Sequence, residues 1–100
     1  MGTRESTRIP LPERPRRQPG VAFSDIEATS ESILYDPKTD RATVVSPLGA
    51  VVWLLCDGSR DAAAIAAEIR GRFEDRPAEA VRADVEAALG QLLAEGLIGP

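Results

Sequence analysis

The chain has 100 residues, of which 43% are apolar and 28% charged, with a net charge of −4 at pH 7. This length allows one domain with a modest core, and no apolar run is long enough to span a membrane. Histidine is absent and Cys56 is the only cysteine, which excludes an internal disulfide, a cysteine-based zinc site and the commonest general base. We therefore expect no cofactor, no metal and no catalysis. Without a secretory signal, we expect a cytoplasmic location.

Charge and proline content divide the chain near residue 20. The first twenty residues carry five arginines against two glutamates, a net charge of +3, and four of the eight prolines. The other eighty carry seven basic and fourteen acidic residues, a net charge of −7, which disfavours binding to a phosphate backbone. This composition predicts a disordered arm over residues 1–19, either solvated or touching an acidic partner, and a folded domain over residues 20–100.

Three short strands are predicted after the arm. Residues 21–27 alternate weakly, residues 32–36 are rich in strand-forming side chains, and residues 41–46 form the third segment of this kind. The turn at 36–40 is rich in Asp and Pro, and it lacks the glycine and glutamate of a calcium loop. Such tight connections predict an antiparallel meander whose third strand is a free edge unless a helix covers it.

Three helices are predicted to follow. Ser46 and Pro47 are a typical N-cap and first helical residue, and the helix they begin is apolar nearly all round, hence buried, up to Gly58. Asp61 caps a second helix, and a third runs over about residues 78–95. The apolar stripe of the third helix comprises Val81, Val85, Ala88, Leu89, Leu92 and Leu93. Three strands followed by three helices predict a small α+β domain.

No catalytic motif can be assembled from these residues. There is no histidine to activate a serine, and the isolated Gly49 and Gly58 do not form a phosphate-binding loop. Cys56 ends a buried helix, which indicates packing rather than a reactive thiol. The residues by themselves therefore favour a binding protein over an enzyme.

Several segments together are similar to a known family. The most specific run is LGAVVWLLCDG at residues 48–58, followed by Asp and Ile at helical spacing over 61–69. VRADV at 81–85, LLAEGL at 92–97 and ILYDP at 33–37 accompany it. Taken together, they resemble the PqqD family of small RiPP recognition elements, which serve ribosomally synthesised and post-translationally modified peptides.

The resemblance implies a winged-helix-like fold, with a three-stranded antiparallel sheet followed by a three-helix bundle. It implies a peptide chaperone that binds the leader of a precursor peptide and presents it to a modifying enzyme, often a radical SAM enzyme, in pyrroloquinoline quinone (PQQ) or other RiPP biosynthesis. The leader would add as a strand beside the third strand, in a groove walled by the third helix. Carried onto this chain, the peptide-binding residues are Arg41, Ala42, Thr43, Val44, Val45, Val81, Arg82, Val85, Glu86 and Leu89.

Two other functions stay open, a winged-helix nucleic-acid-binding protein and an adaptor without peptide specificity. The negative charge of the folded part argues against nucleic acid, and we expect no membrane partner. Because free strand edges can pair, we expect a monomer or a weak dimer. Trp53 is expected either in the core or in a face that docks the enzyme.

Overall fold

The computed structural model describes residues 11–26, 31–72 and 76–100. The elements in chain order are β1 (Arg16–Arg17), β2 (Ala22–Ile26), β3 (Glu31–Asp36), β4 (Arg41–Val45), α1 (Pro47–Leu55), α2 (Ala62–Arg72), α3 (Ala78–Ala94) and β5 (Ile98–Gly99). The predicted α+β class, with a three-stranded sheet followed by three helices, is confirmed. Within the described ranges, no helix is both long and apolar enough to cross a membrane.

The main sheet is an antiparallel meander in the order β2-β3-β4. Its register pairs Leu34 of β3 with Thr43 of β4. Leu34 and Val45 are buried, so the face that they share packs against the helices. Side chains alternate along a strand, which places Ala42 and Val44 on the outer face, where Val44 is 51% exposed.

The first two helices begin at the capping residues that the sequence predicts, whereas α1 ends at Leu55, three residues before the predicted stop at Gly58. The Ser46 hydroxyl accepts a hydrogen bond from the Gly49 amide at 3.0 Å. The Asp61 carboxylate accepts one from the Ala64 amide at 2.8 Å. After α1 the chain turns at Gly58, whose φ of 86° is strained for any residue with a side chain.

The core lies between the sheet and the helices, and Trp53 is near its centre. Trp53 is 5% exposed, stacks on Phe23 with ring centroids 6.1 Å apart, and donates from Nε1 to the Leu97 carbonyl oxygen at 3.2 Å. The Cys56 thiol is also buried and donates to the Val52 carbonyl oxygen at 3.2 Å. Burial raises the pKa of Cys56 to about 12, so the thiol is neutral and has the packing role that the sequence predicts.

The N-terminal segment differs from the prediction. Disorder is predicted over residues 1–19, of which 1–10 lie outside the described ranges, but β1 pairs antiparallel with β5. The amides of Arg17 and Gln18 donate to the carbonyl oxygens of Cys56 and Leu97, at 2.8 and 3.1 Å. An extended segment can be ordered with few apolar side chains when its backbone groups form hydrogen bonds with those of neighbouring loops. The folded part therefore begins before residue 20.

Candidate peptide-binding groove

The open edge of the main sheet is β4. Within the described ranges, β4 pairs with β3 on one side and with no strand on the other. Arg41, at the start of β4, bonds Glu95, just after the end of α3. Leu48, which follows β4, lines one cavity with Val81 and Asp84 near the start of α3. The strand and the helix therefore run alongside in opposite directions, and we call the space between them the β4–α3 groove.

An ion pair lies at each end of this groove. Arg41 and Glu95 meet at 2.9 Å, with side chains 63% and 30% exposed, and Arg76 pairs with Asp84 at the other end. Glu95 follows Asp84 by eleven residues, which spans about 16 Å of helix. A strand of about five residues covers the same length, so the groove matches the length of β4.

An apolar cavity opens at the α1 end of the groove. Its volume is about 200 Å³, enough for one large apolar side chain. It is lined by Pro47, Leu48, Ile69, Arg76, Val81 and Asp84. Four of these are apolar and two form the ion pair, so the cavity favours an apolar side chain beneath a charged rim.

All five predicted strand residues lie in β4, with different exposures. Arg41, Ala42 and Val44 are exposed, Thr43 is half-buried, and Val45 is 4% exposed and belongs to the core. Arg41 and Thr43 share the helix-facing side. Binding through this strand would therefore use the backbone throughout, but not the side chain of Val45.

Two of the helix residues that the sequence assigns to the groove are buried. Val85 and Leu89 are 0% and 1% exposed, so their side chains belong to the core rather than to the surface of the groove. Val81 is 2% exposed but lines the cavity. The apolar stripe of α3 is buried because it packs against α1 and α2. Apolar spacing alone does not distinguish such a core-facing stripe from one that lines a peptide-binding groove.

Arg82 and Glu86, which the sequence also assigns to the groove, lie on the other flank of α3. They bond each other at 2.9 Å, and Arg82 borders a hollow with Ala66 and Arg70 of α2. At about 100° per residue, Arg82 is roughly 160° around the helix from Asp84. Arg82 therefore faces α2 rather than β4, and Glu86, one turn further along α3, shares its flank.

The helix residues that do line the groove are Asp84, Ala88 and Glu95. Asp84 and Glu95 are placed by the contacts above, and Ala88 lies between them at helical spacing, four residues after Asp84. The spacing of the three was visible in the sequence as one flank of the apolar stripe. It was missed because a stripe has two flanks, and only the packing shows which one faces β4.

The carboxylates of the β3–β4 turn accept hydrogen bonds from within the same hairpin. Asp36 accepts a hydrogen bond from the Lys38 amide at 3.0 Å. Asp40 accepts one from the Tyr35 hydroxyl at 2.7 Å, and this bond, with burial and the charge of Asp36, raises the pKa of Tyr35. In the part of the chain that the structure describes, no three His, Cys, Asp or Glu side chains are grouped so as to hold a metal ion.

Comparisons with known proteins agree with this architecture. The family model described as coenzyme PQQ synthesis protein D (PqqD) matches residues 31–98. No curated protein matches the chain.

Two solved structures share its fold. One is TbiB1 in complex with the TbiA(beta) leader peptide, with a TM-score of 0.67 and 18% identity over 83% of this chain and 93% of that one. The other is the PqqD truncation of Methylobacterium extorquens PqqCD, a stand-alone RiPP recognition element, with a TM-score of 0.68 and 24% identity over 86% and 88%. Because the family model spans β3 to β5 and all three helices, the chain belongs to the PqqD family.

Proposed function

We propose that this protein is a peptide chaperone. It binds the leader of a ribosomally synthesised precursor peptide as a strand added to β4, and presents it to a modifying enzyme of PQQ or other RiPP biosynthesis. The observation that carries the proposal is the open edge of β4 beside α3 in a member of the PqqD family. TbiB1, which has the same fold, was solved with a leader peptide bound. In this proposal the enzyme is a radical SAM enzyme, and the chaperone itself catalyses no reaction.

The backbone of β4 supplies the first part of the interaction. In an antiparallel ladder, alternate residues direct their N–H and C=O groups to opposite sides. Half of the polar backbone groups of Arg41–Val45 therefore face away from β3 and are free to pair with an added strand. This mode of recognition depends little on sequence, so the side chains around the edge must select the leader.

Those side chains lie in the β4–α3 groove. The cavity beside Leu48 and Val81 takes an apolar leader residue. Arg41, which is 63% exposed and whose one ion pair among the described residues is with Glu95, pairs with an acidic leader residue. Each ion pair is at the surface and contributes at most about 1 kcal/mol, so an incoming charge can replace one partner at little cost.

The expected affinity is moderate. About four backbone hydrogen bonds contribute roughly 1 kcal/mol each, and about 300 Å² of buried apolar surface adds about 7–8 kcal/mol. Ordering the leader and ending its free tumbling take back at least about 4 kcal/mol. The remainder corresponds to a Kd on the order of micromolar, which suits a carrier that must release its cargo.

A peptide selection followed by NMR tests the proposal and does not require the sequence of the leader. Random peptides displayed on phage are selected on the full-length chain, and an enriched peptide is titrated into the ¹⁵N-labelled protein. We expect saturable amide shifts in Arg41–Val45 and at Asp84, Ala88 and Glu95, with little change at Arg82.

Three results would overturn the proposal. One is the absence of any enriched peptide, and another is a set of shifts confined to the α2 side of α3. The third is a fluorescent duplex DNA that binds more tightly than the selected peptides, which would favour a nucleic-acid-binding function instead.

A further inference from the structure

The N-terminal segment, residues 15–18, lies as an extended strap between the α1–α2 loop and β5. Pro15 is buried, and its carbonyl oxygen accepts a hydrogen bond from the Gly58 amide at 3.0 Å. The amides of Arg17 and Gln18 bond the body on either side, as described above. The strap precedes residue 31, where the match to the family model begins, so the match does not account for it.

The side chains of the two strap arginines pack against the body. The guanidinium of Arg17 lies over the Trp53 ring, 5.6 Å from its centroid, and donates to the Leu54 carbonyl oxygen. The guanidinium of Arg16 covers Gly58 so closely that a Cβ there would lie 2.7 Å from its Nε. The Arg17 guanidinium is therefore pre-organised, and it has little side-chain freedom left to lose when a partner binds.

Among the described residues, no carboxylate forms an ion pair with these arginines. Within the described ranges, the ion pairs use Arg41, Arg60, Arg76 and Arg82. None of them uses Arg14, Arg16 or Arg17. The neighbouring Asp57 is bound to Arg60 at 3.0 Å, and Glu13 is the one acid of residues 11–20. This stretch, with three arginines and one glutamate, has a net charge of +2.

An exposed apolar side chain adjoins the arginines. Leu54 is 49% exposed, and the bond from Arg17 to its carbonyl oxygen sets the guanidinium beside it. We call the strap arginines Arg16 and Arg17, the exposed Arg14 that precedes them in the chain, and Leu54 the strap face. Arginine around an apolar centre is typical of protein interaction sites, and the strap face shares no residue with the β4–α3 groove.

We propose that the strap face docks an acidic segment of a partner protein, in which carboxylates flank an apolar side chain. Guanidinium groups bind carboxylates through paired, charge-assisted hydrogen bonds, and the apolar residue covers Leu54. A protein is favoured over nucleic acid because residues 21–100 carry a net charge of −7, which repels a long polyanion. The identification of this partner with the modifying enzyme rests on the proposed function. The acidic chemistry of the docked segment does not depend on that function.

The same displayed library tests this inference at low salt. We expect a second group of enriched peptides, rich in Asp and Glu with one large apolar residue, and an affinity measurable by fluorescence anisotropy. Arg14→Ala combined with Arg16→Ala should weaken it about fivefold to tenfold, and Leu54→Ser at least about threefold. The double variant Arg70→Ala, Arg72→Ala is the matched control, because it removes the same charge from the exposed end of α2. It should change the affinity for the acidic peptides less than about twofold.

The outcomes separate this inference from the proposed function. Acidic peptides should bind normally to whichever β4 proline variant, Thr43→Pro or Val44→Pro, stays as stable as the unmodified protein, because that proline affects only the groove edge. If no acidic group is enriched, or if the control pair weakens binding as much as the strap pair, the inference is wrong. It is also wrong if duplex DNA binds more tightly than the acidic peptides and depends on the same strap arginines. Loss of groove peptides alone would instead count against the leader proposal.

Discussion

Proline substitutions in β4 distinguish the two sides of that strand. Successive N–H groups of an antiparallel strand point in opposite directions. Thr43→Pro and Val44→Pro therefore remove N–H groups from opposite sides, one from the ladder with β3 and one from the open edge. The outward proline should leave the fold intact, because an edge strand tolerates it, and it should prevent an added strand from pairing.

The size of each effect follows from the hydrogen bonds involved. The outward proline removes one bond to the added strand, about 0.5–1.5 kcal/mol, and its ring displaces the incoming backbone enough to weaken a neighbouring bond by a similar amount. A total of about 2 kcal/mol lowers the affinity roughly thirtyfold. The inward proline breaks the β3–β4 ladder and lowers the free energy of unfolding by about 1–3 kcal/mol.

The assay combines anisotropy with a groove-selected peptide and urea unfolding of each variant. Ser24→Pro, on β2 at the opposite edge of the sheet, is the matched control and should bind the peptide normally. Strand addition at β4 is refuted if the stable variant of the pair binds with unchanged affinity. Equal loss of affinity from Ser24→Pro would move the binding edge to β2.

Three further predictions concern single side chains. Arg17→Ala removes the contact with Trp53 and one hydrogen bond, and should lower the free energy of unfolding in urea by about 1–2.5 kcal/mol; an unchanged value would mean that the strap does not stabilise the body. Arg82→Glu should leave the affinity for groove peptides within about twofold, because Arg82 faces α2, and a tenfold loss would place the groove on the other flank of α3. The Cys56 thiol, with its pKa raised from 9.0 to about 12, should resist a disulfide reagent at neutral pH until the protein unfolds. Because the thiol ionises first in the unfolded chain, stability should fall as pH rises between these two values, and a pH-independent stability there would contradict the burial.

The order of the elements was predictable from local signals. Ser46 and Asp61 cap their helices through bonds to amides three residues on. Gly58 turns the chain in a left-handed conformation three residues after α1 ends at Leu55, and the Asp-rich turn at 36–40 joins two strands in register. Each signal acts over a few residues, so no distant part of the chain was needed to locate it.

The sequence likewise indicated that β4 is an edge strand with little protection against the pairing of a further strand, because Arg41 is its only charged residue. It did not determine what lies beside that edge. The ion pair between Arg41 and Glu95 joins residues that are 54 positions apart in the sequence. Whether the Asp84 flank or the Arg82 flank of α3 faces the edge depends on how α2 and β4 pack around that helix. Periodicity indicates which side of a helix is inward, not which neighbour meets each flank.

The strap was decided by tertiary structure alone. A two-residue strand such as β1 has no period, and its prolines and arginines are typical of a disordered segment. It is ordered because the carbonyl oxygens of Cys56 and Leu97 face it and accept its amides, and because the Trp53 ring supports Arg17. Those partners are brought together only when the helices pack. The sequence therefore determined the order of the elements, whereas the assembled core determined the groove, its helix wall and the strap face.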